Sequence, residues 1–384
     1  LPSMPSDPPM ILVENGPGGG PAVFGAPRAL VRADTAADVP AALDALDAAL
    51  ASGQWVAGVA SYELGYALEP RLAPLMPGGR RLPLLHFAVT GAPMAGEPAL
   101  ARAEAETGAI SRPVPSWDAA NHARAARTVL DLIRAGDIYQ ANLTFPFHAS
   151  WTGTPLGLYG ALRRRQPVPH GAVVLLPGYP AIVSRSPELF FATDAEGRIE
   201  TRPMKGTAPR DPDPTADAAL RDALMKSAKD RAENLMIVDL LRNDISRVSK
   251  IGSVRVPALY AIETYATVHQ MVSRVTGQLV PGTRFSGLMR ALFPCGSVTG
   301  APKIRAMEII RAVEDTPRGA YCGAVGWMGP DGASAFNVAI RTLTLYPDGA
   351  AEFGVGGGIV ADSTPEGEYE EALWKARFSR MERA

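Results

Sequence analysis

A single lysine stands where an amine could act on a bound substrate. Lys205 lies in the run Arg202-Pro203-Met204-Lys205-Gly206-Thr207-Ala208. Proline restricts the approach of the chain, and Gly206 permits a sharp turn with close substrate contact. A lysine becomes nucleophilic only if desolvation or a neighbouring charge lowers its pKa. The alternative for an isolated lysine is a solvated side chain in a turn, so the neighbouring carboxylates decide between the two interpretations.

Two pairs of carboxylates have the spacing of one helical face. Asp230 and Glu233 are three residues apart, and so are Glu368 and Glu371. Magnesium prefers oxygen ligands and is commonly held by one or two carboxylates together with substrate oxygens. Acidic pairs are usually solvated helix surface, but the apolar residues within 235–241 predict a largely buried helix, where an idle carboxylate is costly. The two pairs therefore form a candidate Mg²⁺ site.

The C-terminal part of the chain carries groups that could bind an anion. The run Gly354-Val355-Gly356-Gly357-Gly358 is predicted to follow a strand and to present backbone N–H groups, with a tight turn as the alternative. Arg341, in a predicted strand, would be a costly buried cation unless it bound a substrate carboxylate. Tyr321 and Lys375 could add donors. Lys375 also stands four residues after Glu371, so a helix-surface ion pair is the other interpretation.

Glu188 is a candidate general acid. It immediately precedes the apolar run Leu189-Phe190-Phe191, which predicts a strand. A carboxyl group at the head of such a strand would have a raised pKa and could donate a proton at neutral pH.

Composition excludes several classes of function. The 384 residues are 47% apolar. Because 38 Lys and Arg nearly balance 39 Asp and Glu, the chain has no net positive charge to attract nucleic acid or an anionic membrane. No apolar run is long enough to span a bilayer, and the opening residues lack a signal-peptide pattern. Cys295 and Cys322 are too few for a disulfide framework and lack metal-ligand spacing. We expect a cytoplasmic protein without nucleic-acid or membrane partners.

Helices and strands mix along the chain without strict alternation, which favours an α+β fold. The predicted helices are Asp38–Ser52, Asn121–Ala135 (ended by Gly136), about Asp217–Val248, Lys303–Ala312 and Gly367–Arg380. The predicted strands are Trp55–Ser61, Ile138–Phe147, Gly171–Leu176, Ala181–Ser184, Leu189–Thr193, Ile199–Arg202, Ala324–Met328, Ser334–Leu345 and Ala351–Val355. Residues 1–110 are predicted as a short N-terminal region packed on the core, Pro93–Ser116 as a connection, and residues 117–384 as the catalytic domain.

Taken together, these segments resemble the chorismate-utilising enzymes. The resemblance runs from about Trp117 to Arg380, and it rests on the runs at 136–143, 186–188, 202–207, 229–240, 300–303, 340–342 and 356–363. It implies an α+β fold in which two similar halves pack their antiparallel β-sheets face to face, with helices outside. It also implies an active site in the cleft between the halves, with chorismate as the substrate.

Two positions distinguish the branches of this family. The branch that forms aminodeoxychorismate carries Lys in the Pro-x-Lys-Gly-Thr turn, as at Lys205, where the anthranilate, isochorismate and salicylate branches typically carry Ala. Gln140 stands where the water-adding branches typically carry a lysine base, so the expected incoming group is ammonia. The implied product is 4-amino-4-deoxychorismate, on the route to para-aminobenzoate and folate. Anthranilate formation is the alternative, and a non-catalytic chorismate-binding protein is a third.

The resemblance also implies roles for single residues. Lys205 would attack C2 of chorismate while Glu188 protonates the leaving C4 hydroxyl. Mg²⁺ would be held by Glu233 and Glu371, with Asp230 and Glu368 in support. The residues expected to bind the substrate are Tyr321, Arg341, Gly357, Gly358, Lys375, Ser297, Thr299, His269 and Gln140. Because the sequence shows no domain for glutamine hydrolysis, ammonia is expected free in solution or from a separate glutamine amidotransferase subunit.

Several positions depart from the family pattern. Cys295 replaces a usual Gly, and Trp327 replaces a common Tyr. The N-terminal region retains mainly the run Ser61-Tyr62-Glu63-Leu64-Gly65-Tyr66. Some relatives bind tryptophan in that region through two short segments. Here Pro169-His170-Gly171 stands at the second and no convincing first is present, so a bound tryptophan is not expected.

Overall fold

The structure is a computed structural model that describes residues 8–265 and 268–379. Its strands are β1 (Met10–Val13), β2 (Ala22–Gly25), β3 (Ala29–Ala33), β4 (Trp55–Ala60), β5 (Leu85–Thr90), β6 (Met94–Ala95), β7 (Gly108–Ile110), β8 (Val114–Pro115), β9 (Gln140–Gly153), β10 (His170–Leu175), β11 (Ala181–Ser186), β12 (Leu189–Thr193), β13 (Arg198–Arg202), β14 (Met204–Pro209), β15 (Arg255–Thr264), β16 (Val268–Gln278), β17 (Gly300–Ala301), β18 (Ala324–Met328), β19 (Ser334–Val338), β20 (Thr342–Leu345) and β21 (Ala350–Ile359).

The helices lie between these strands along the chain. They are α1 (Val39–Ala51), α2 (Leu64–Leu68), α3 (Glu97–Ala105), α4 (Ala119–Arg134), α5 (Pro155–Arg165), α6 (Pro214–Lys226), α7 (Ala228–Ser246), α8 (Phe285–Leu292), α9 (Lys303–Val313) and α10 (Pro365–Lys375). Short 3-10 helices occur at Pro17–Gly19, Ala36–Asp38, Ala73–Leu75, Gly296–Val298 and Ala376–Ser379.

The strands form two large antiparallel sheets. The first has the order β17-β9-β21-β20-β11-β10-β1-β2-β6, and β7 and β8 also pair with β9. The second has the order β14-β16-β13-β12-β19-β18-β4-β5-β3, and β15 also pairs with β16. Neighbouring strands are often distant in sequence, as in the pairing of Met10 with Leu175. The predicted α+β fold with facing antiparallel sheets is confirmed.

Three apolar layers hold the sheets and helices together. The layer between the sheets contains Ile11, Val59, Val174 and Trp327, all buried. The outer face of the second sheet packs against α1, α7 and α8, and the outer face of the first packs against α4, α5 and α10. Burying each large apolar side chain contributes roughly 1.5–3 kcal/mol before the loss of chain entropy is counted. Helices therefore lie outside both sheets, as the family resemblance implied.

Local capping explains where the helices begin and end. In α4 the Asp118 side chain accepts a hydrogen bond from Asn121 N, and Gly136, with φ of +82°, follows the last turn. The long helix predicted at about Asp217–Val248 is wrong, because it is broken at Ser227. The Ser227 side chain accepts from Asp230 N and begins α7, which separates it from α6. A cap of this kind is worth about 1 kcal/mol.

Two further predictions about local structure are wrong. The strand predicted at Ser334–Leu345 is two strands in different sheets, β19 in the second and β20 in the first. The chain crosses between the sheets over residues 339–341, because Arg341 has a φ of +50°, which ends the extended backbone. The connection predicted at Pro93–Ser116 contains α3 and short strands that pair with β2 and β9. Arg380, the predicted end of the last helix, lies outside the described residues.

The N-terminal residues contribute strands to both sheets. Strands β1, β2 and β6 belong to the first sheet, and β3, β4 and β5 belong to the second. The division into residues 1–110 and 117–384 remains a prediction, but the structure joins the two by continuous strand pairing, for example Ala324 with Ala60. In the parts of the chain that the structure describes, every helix is too short or too polar to cross a membrane.

Candidate active site

Two neighbouring crossovers between the sheets carry Glu188 and Arg341. The chain leaves β11 of the first sheet and enters β12 of the second over residues 186–188, and it returns over residues 339–341. Ser186 Oγ donates to Val338 O at 2.5 Å, and Val338 N donates to Glu188 O at 3.0 Å. These bonds join one crossover to the other. The candidate acid and the candidate carboxylate-binding cation are therefore fixed relative to both sheets.

Glu188 is buried and holds its proton near neutral pH. Only 5% of the residue is exposed. Burial raises the pKa of Glu188 to about 7, although a hydrogen bond from Ser297 and the charge of Lys205 act in the opposite direction. Its Oε1 atom has no hydrogen-bond partner among the described residues. A carboxyl group of this kind can donate a proton to a leaving group at pH 7.

Lys205 lies on β14, at the edge of the second sheet, and is half-buried. The pairing of β14 with β16 shifts register between Met204 and Thr207, so the strand is irregular at the lysine. Gly206 has a φ of +90°, and a Cβ there would lie 2.9 Å from the Cβ of Asp230. Glycine is needed because the strand packs directly against the first turn of α7. This contact brings Lys205 beside the helix that carries the first carboxylate pair.

The carboxylates of α7 and α10 share one electrostatic environment with Lys205. Burial raises the pKa of Glu233, and the charges of Lys205 and Lys229 oppose that rise. Burial would also raise the pKa of Glu371, but Lys375, Lys205 and Lys229 together lower it. The amine, the two carboxylate helices and Glu188 are thus gathered at one place. The half-exposed side chain of Lys229 was not identified from the sequence.

The second carboxylate pair surrounds Gly357. A Cβ at Gly357 would lie 3.0 Å from Glu368 Oε2 and 3.7 Å from Glu371 Oε1. Ser363 Oγ donates to Glu368 Oε1 at 2.6 Å, and burial raises the pKa of Glu368. The absence of a side chain at 357 therefore leaves room in front of both carboxylates.

The donor set fits Mg²⁺ only if the substrate completes the coordination. Among residues 8–265 and 268–379, no three His, Cys, Asp or Glu side chains converge as a complete protein site would require. Mg²⁺ usually takes one or two protein carboxylates and keeps other positions for water or substrate oxygens. Burial, and then the negative charges of Asp230 and Glu368, raise the pKa of Glu233, so part of that rise is repulsion between carboxylates. A divalent cation would relieve that repulsion, and Mg²⁺ binding stays a prediction.

The sequence predicts that the glycine run follows a strand. In the structure the run lies within a strand, β21. Gly357 pairs with Leu143 and Gly358 with Asn142 of β9. Lys375 Nζ donates to Gly356 O at 2.8 Å, so the main chain of Gly356 points away from β9. Because main-chain direction alternates along a strand, the N–H of Gly358 points to the same open edge, and that of Gly357 points to β9. Gly358 is the better placed of the two to donate to a ligand.

Lys375 is engaged in an ion pair on α10. Its Nζ lies 2.7 Å from Glu371 Oε1, four residues before it on α10. This is the helix-surface pair that the sequence left open as the alternative. Binding of a cation at Glu371 would free the Lys375 ammonium for a substrate carboxylate.

Gln140 is fully buried and its amide is unsatisfied. Neither Oε1 nor Nε2 has a hydrogen-bond partner among the described residues, and the Nε2 atom lies 2.7 Å from the Cβ position of Gly358. An unpaired buried amide is costly, which indicates that a ligand or water completes it. Thr299 lies on the adjacent segment, where its carbonyl accepts from Asn142 N at 2.7 Å. Its hydroxyl donates to Cys295 O at 3.1 Å.

Arg341 is a partly buried cation that has no counter-charge among residues 8–265 and 268–379. Burial and the nearby charge of Arg185 lower the pKa of Arg341. Its guanidinium forms no hydrogen bond or ion pair with the described residues. A carboxylate of a bound ligand would supply the missing partner.

Tyr321 lies at the wall of a small, partly open pocket and packs its ring against Gly354. The pocket is lined by Thr144, Phe145, Pro146, Glu314, Thr316, Pro317, Arg318, Tyr321, Thr342, Thr344, Glu352, Phe353 and Gly354. Its wall does not include Lys205 or Glu188. Gly354 and Gly358 are four residues apart on one strand, a distance of roughly 13 Å. The Tyr321 ring therefore meets β21 four residues before Gly358, and its contact with the substrate stays a prediction.

His269 is fully engaged in protein contacts. Its Nδ1 lies 2.9 Å from Thr264 Oγ1, and its Nε2 lies 2.9 Å from Asp217 Oδ1. Arg210 Nε also donates to Asp217, at 2.8 Å. In this arrangement His269 anchors the segment that follows Lys205, because it pairs with Ala208 across β14 and β16. The two ring nitrogens have no free capacity for a substrate.

The sequence matches the family described as chorismate binding enzyme over residues 11–380. The chain belongs to the chorismate-binding enzymes. This match covers the strands of both sheets from β1 onwards, so the N-terminal region is part of the family fold. The resemblance drawn from the motifs is confirmed.

Curated members of two branches are similar to this chain. Aminodeoxychorismate synthase component 1 of Escherichia coli (strain K12) is 47% identical over 249 residues, which are 65% of this chain and 54% of that protein. Aminodeoxychorismate synthase of Streptomyces pristinaespiralis is 46% identical over 246 residues, which are 64% of this chain and 34% of that protein. Anthranilate synthase component 1 1 of Haloarcula marismortui is 44% identical over 251 residues, 65% of this chain and 51% of that protein. The matches span about half the relatives' length or less.

Solved structures support the same fold. The crystal structure of anthranilate synthase component I from Streptococcus pneumoniae TIGR4 superposes with a TM-score of 0.79 at 25% identity, covering 99% of this chain and 94% of that one. The menaquinone-specific isochorismate synthase of Escherichia coli has a TM-score of 0.75 at 16% identity, covering 98% and 89%.

The motif residues of this chorismate-binding enzyme do not include the buried ion pair of Arg318 and Glu314. Glu314 follows α9 directly and Arg318 lies four residues later, with side chains only 6% and 3% exposed. Both line the pocket beside Tyr321. A signal was present in the sequence, because two opposite charges at i and i+4 flank a Pro just before the buried run that leads into β18.

Proposed function

We propose that this chain is the chorismate-converting component of an aminodeoxychorismate synthase. It would convert chorismate and ammonia to 4-amino-4-deoxychorismate. The observation that carries the proposal is the position of Lys205, whose charge acts on Glu188, Glu233 and Glu371 together. The related proteins include both aminodeoxychorismate and anthranilate synthases, so overall identity does not separate the branches. The lysine in the Pro-Met-Lys-Gly-Thr turn favours the first.

The reaction would proceed in two displacements that connect C2 and C4 of chorismate through its diene. The lone pair of Lys205 Nζ bonds to C2, the two double bonds shift, and the C4 hydroxyl leaves as water with the proton of Glu188. Ammonia then bonds to C4, the double bonds shift back, and the C2–N bond to Lys205 breaks. The Glu188 carboxylate takes up the proton that ammonia loses. The sum is chorismate plus ammonia giving aminodeoxychorismate plus water, and two successive displacements of this kind account for retention of the C4 configuration.

Glu188 suits the acid role because it is half-protonated near pH 7. With a pKa of about 7, the same group can give a proton in the first displacement and accept one in the second. A carboxyl group at its ordinary pKa would be almost wholly ionised at neutral pH and would be a poor acid. Ser297, which hydrogen-bonds Glu188, would set its orientation.

Mg²⁺, when bound by Glu233 and Glu371, would neutralise the ring carboxylate of chorismate and draw electron density from the diene. Asp230 and Glu368 would support those two ligands. The carboxylates of the substrate would be oriented by this chain's own donors. The partnerless Arg341 suits the side-chain carboxylate, together with Tyr321, and Lys375 and the Gly358 N–H suit the ring end. Gln140 and Thr299 would line the same cleft.

Ammonia would come from solution or from a separate glutamine amidotransferase subunit in the cytoplasm. The name component 1 of the E. coli relative supports a partner of that kind. Because the chain matches about half of that relative, the whole assembly and its partner are part of the proposal.

Product analysis tests the proposal. The protein is incubated with chorismate, Mg²⁺ and ammonium, and aminodeoxychorismate lyase is then added. Para-aminobenzoate is the expected product. Ortho-aminobenzoate would replace the proposal by anthranilate synthesis, which the Streptococcus structure favours as the second candidate. No aminobenzoate at all would leave a chorismate-binding protein without turnover.

Intact mass spectrometry tests the covalent step. Chorismate and Mg²⁺ without ammonia should add the mass of chorismate less one water to the wild-type chain. The adduct should be absent from Lys205→Ala and present in Lys226→Ala, an exposed lysine at the end of α6. Unchanged turnover in Lys205→Ala would remove the covalent mechanism even if the product were correct.

A further inference from the structure

Arg318 is a buried cation whose guanidinium reaches acceptors on three separate segments. Its Nε and Nη2 donate to the Glu314 carboxylate at 2.8 and 2.6 Å. Its Nη1 donates to Val298 O at 2.7 Å, and Nη2 donates to Asn142 O at 2.6 Å. A planar guanidinium that uses its donors in this way fixes the relative positions of its partners.

The acceptors of Arg318 belong to segments that carry proposed substrate residues. Val298 lies between Ser297 and Thr299, and Asn142 lies two residues after Gln140 on β9. Asn142 N donates to Thr299 O, so the two segments are also bonded to each other. One side chain therefore sets the loop that holds Ser297 and the strand that holds Gln140.

Arg318 is itself held by the N-terminal segment Ser61–Tyr66. The buried Glu63 carboxylate accepts from Arg318 N at 2.7 Å and from Gly319 N at 3.1 Å. Tyr62 N donates to Gly319 O at 2.8 Å, and the Tyr62 ring lies 4.4 Å from the guanidinium carbon. Thr144 N and Oγ1 donate to Glu314, which holds the other side of the pair. Neither the proposed chemistry nor the substrate contacts use this segment.

We propose that Arg318, fixed by Glu63 and Glu314, is a positioning residue that holds the loop at 295–299 so that Ser297 reaches Glu188. This inference rests on the proposed function, because Glu188 is the proton donor in that reaction. It gives a structural role to the N-terminal run Ser61–Tyr66, because Glu63 and Tyr62 hold Arg318 and Gly319. The N-terminal region would then be required for the chemistry and not only for folding.

Movement of the loop at 295–299 would change the pKa of Glu188, an effect that simple loss of stability would not produce. The groups that act on Glu188 are Ser297, by a hydrogen bond, and Lys205, by its charge, with the Cys295 thiol also nearby. The Ser297 hydrogen bond lowers the pKa of Glu188 because it favours the ionised form. If the loop moves away, that pKa rises, and the protonated acid persists to higher pH.

The test compares Glu63→Gln and Arg318→Lys with a matched control. Glutamine keeps one acceptor for Arg318 N but offers no second acceptor to Gly319 N, and lysine cannot bond all three segments at once. Tyr66→Phe is the control, because Tyr66 lies in the same segment but donates only to Met307 O, at 3.2 Å, on α9. Folding is monitored by thermal unfolding, and Glu63→Gln is the milder variant if Arg318→Lys does not fold.

Both test variants should lose about 10- to 100-fold in kcat, as misplacement of a reacting group does, with a smaller change in KM. The alkaline limb of kcat/KM should move to higher pH in both, and stay in place in Tyr66→Phe. The inference would be overturned if the alkaline limb of kcat/KM stayed in place in the two test variants, or if Tyr66→Phe lost as much kcat as they do. If wild type does not turn over chorismate, the proposed function fails instead. NMR titration of Glu188 in the free protein still tests the inference, since its pKa should rise in Glu63→Gln.

Discussion

Replacing Glu188 by glutamine should stabilise the protein at alkaline pH while removing its activity. The pKa of this carboxyl is raised from 4.5 to about 7 by burial. At about 1.4 kcal/mol for each pKa unit, burying the ionised form costs about 3 kcal/mol of folding free energy. Glutamine has the same shape and never ionises, so Glu188→Gln escapes that cost. It cannot protonate a leaving hydroxyl, so aminodeoxychorismate formation should fall by at least about 100-fold.

The sign of the pH effect follows from the two protonation states. Below pH 4.5 the group is protonated in the folded and unfolded chains alike, and wild type bears no cost. As the pH rises, the unfolded chain loses this proton first, so wild-type stability falls progressively until the folded group also ionises near pH 7. Above that pH the difference between variant and wild type is complete and constant.

Urea unfolding at about pH 5 and about pH 9 measures this difference. The free energy of unfolding of Glu188→Gln minus that of wild type should be about 2–3 kcal/mol larger at the higher pH. Glu196→Gln, on the exposed turn between β12 and β13, is the matched control and should follow wild type at both values. A difference between Glu188→Gln and wild type that does not change with pH would refute the reasoning, because Glu188 would then not be an unusual acid.

Two glycines offer further tests. Gly206→Ala should lower kcat at least about tenfold. A φ of +90° strains alanine, and its methyl group would press on Asp230. A steady-state rate within twofold of wild type would contradict this. Gly357→Ala would put a methyl group 3.0 Å from a Glu368 oxygen, so calorimetric Mg²⁺ affinity should fall and KM for chorismate should rise severalfold. Gly25→Ala on β2, where the nearest atom is 3.4 Å away, should leave both unchanged, and equal effects of the two substitutions would argue against a site at Gly357.

Sequence patterns predicted local elements well where local interactions decide them. Leu189–Thr193 and Ala324–Met328 have the predicted bounds, because an apolar run between turn residues specifies a buried strand. The break at Ser227 was missed because α6 and α7 both have helix-forming residues, and a single side-chain cap divides them. The signal was a serine three residues before Asp230, which is typical of a helix start.

Non-local pairing explains the larger errors. The glycines at 356–358 form a strand because β9, more than 200 residues earlier, supplies their partners. No local pattern specifies that pairing, and glycine by itself disfavours a strand. Arg341 leaves the predicted strand because the chain changes sheets there, and the choice of sheet depends on both sets of neighbours.

The candidate site was predictable to the extent that it consists of motifs. The resemblance supplied Lys205, Glu188 and the carboxylate pairs as residues, and the structure adds their surroundings. The engagement of His269 with Asp217 and the bonds of Arg318 to Val298 O and Asn142 O join segments far apart in sequence. The sequence shows which side chains these are, but their hydrogen-bond partners are set by the tertiary fold.

The two adjacent crossovers make the reacting groups sensitive to the thickness of the apolar layer between the sheets. Phe24, Trp55 and Trp327 stack within this layer, with ring centroids about 6 Å apart. Replacing these rings by smaller side chains would let the two sheets move closer together. The crossovers at 186–188 and 339–341, which carry Glu188 and Arg341, would then change their positions. Substitutions at these remote aromatic positions can therefore change how Glu188 donates its proton and how Arg341 binds a carboxylate, although no residue of the cleft is altered.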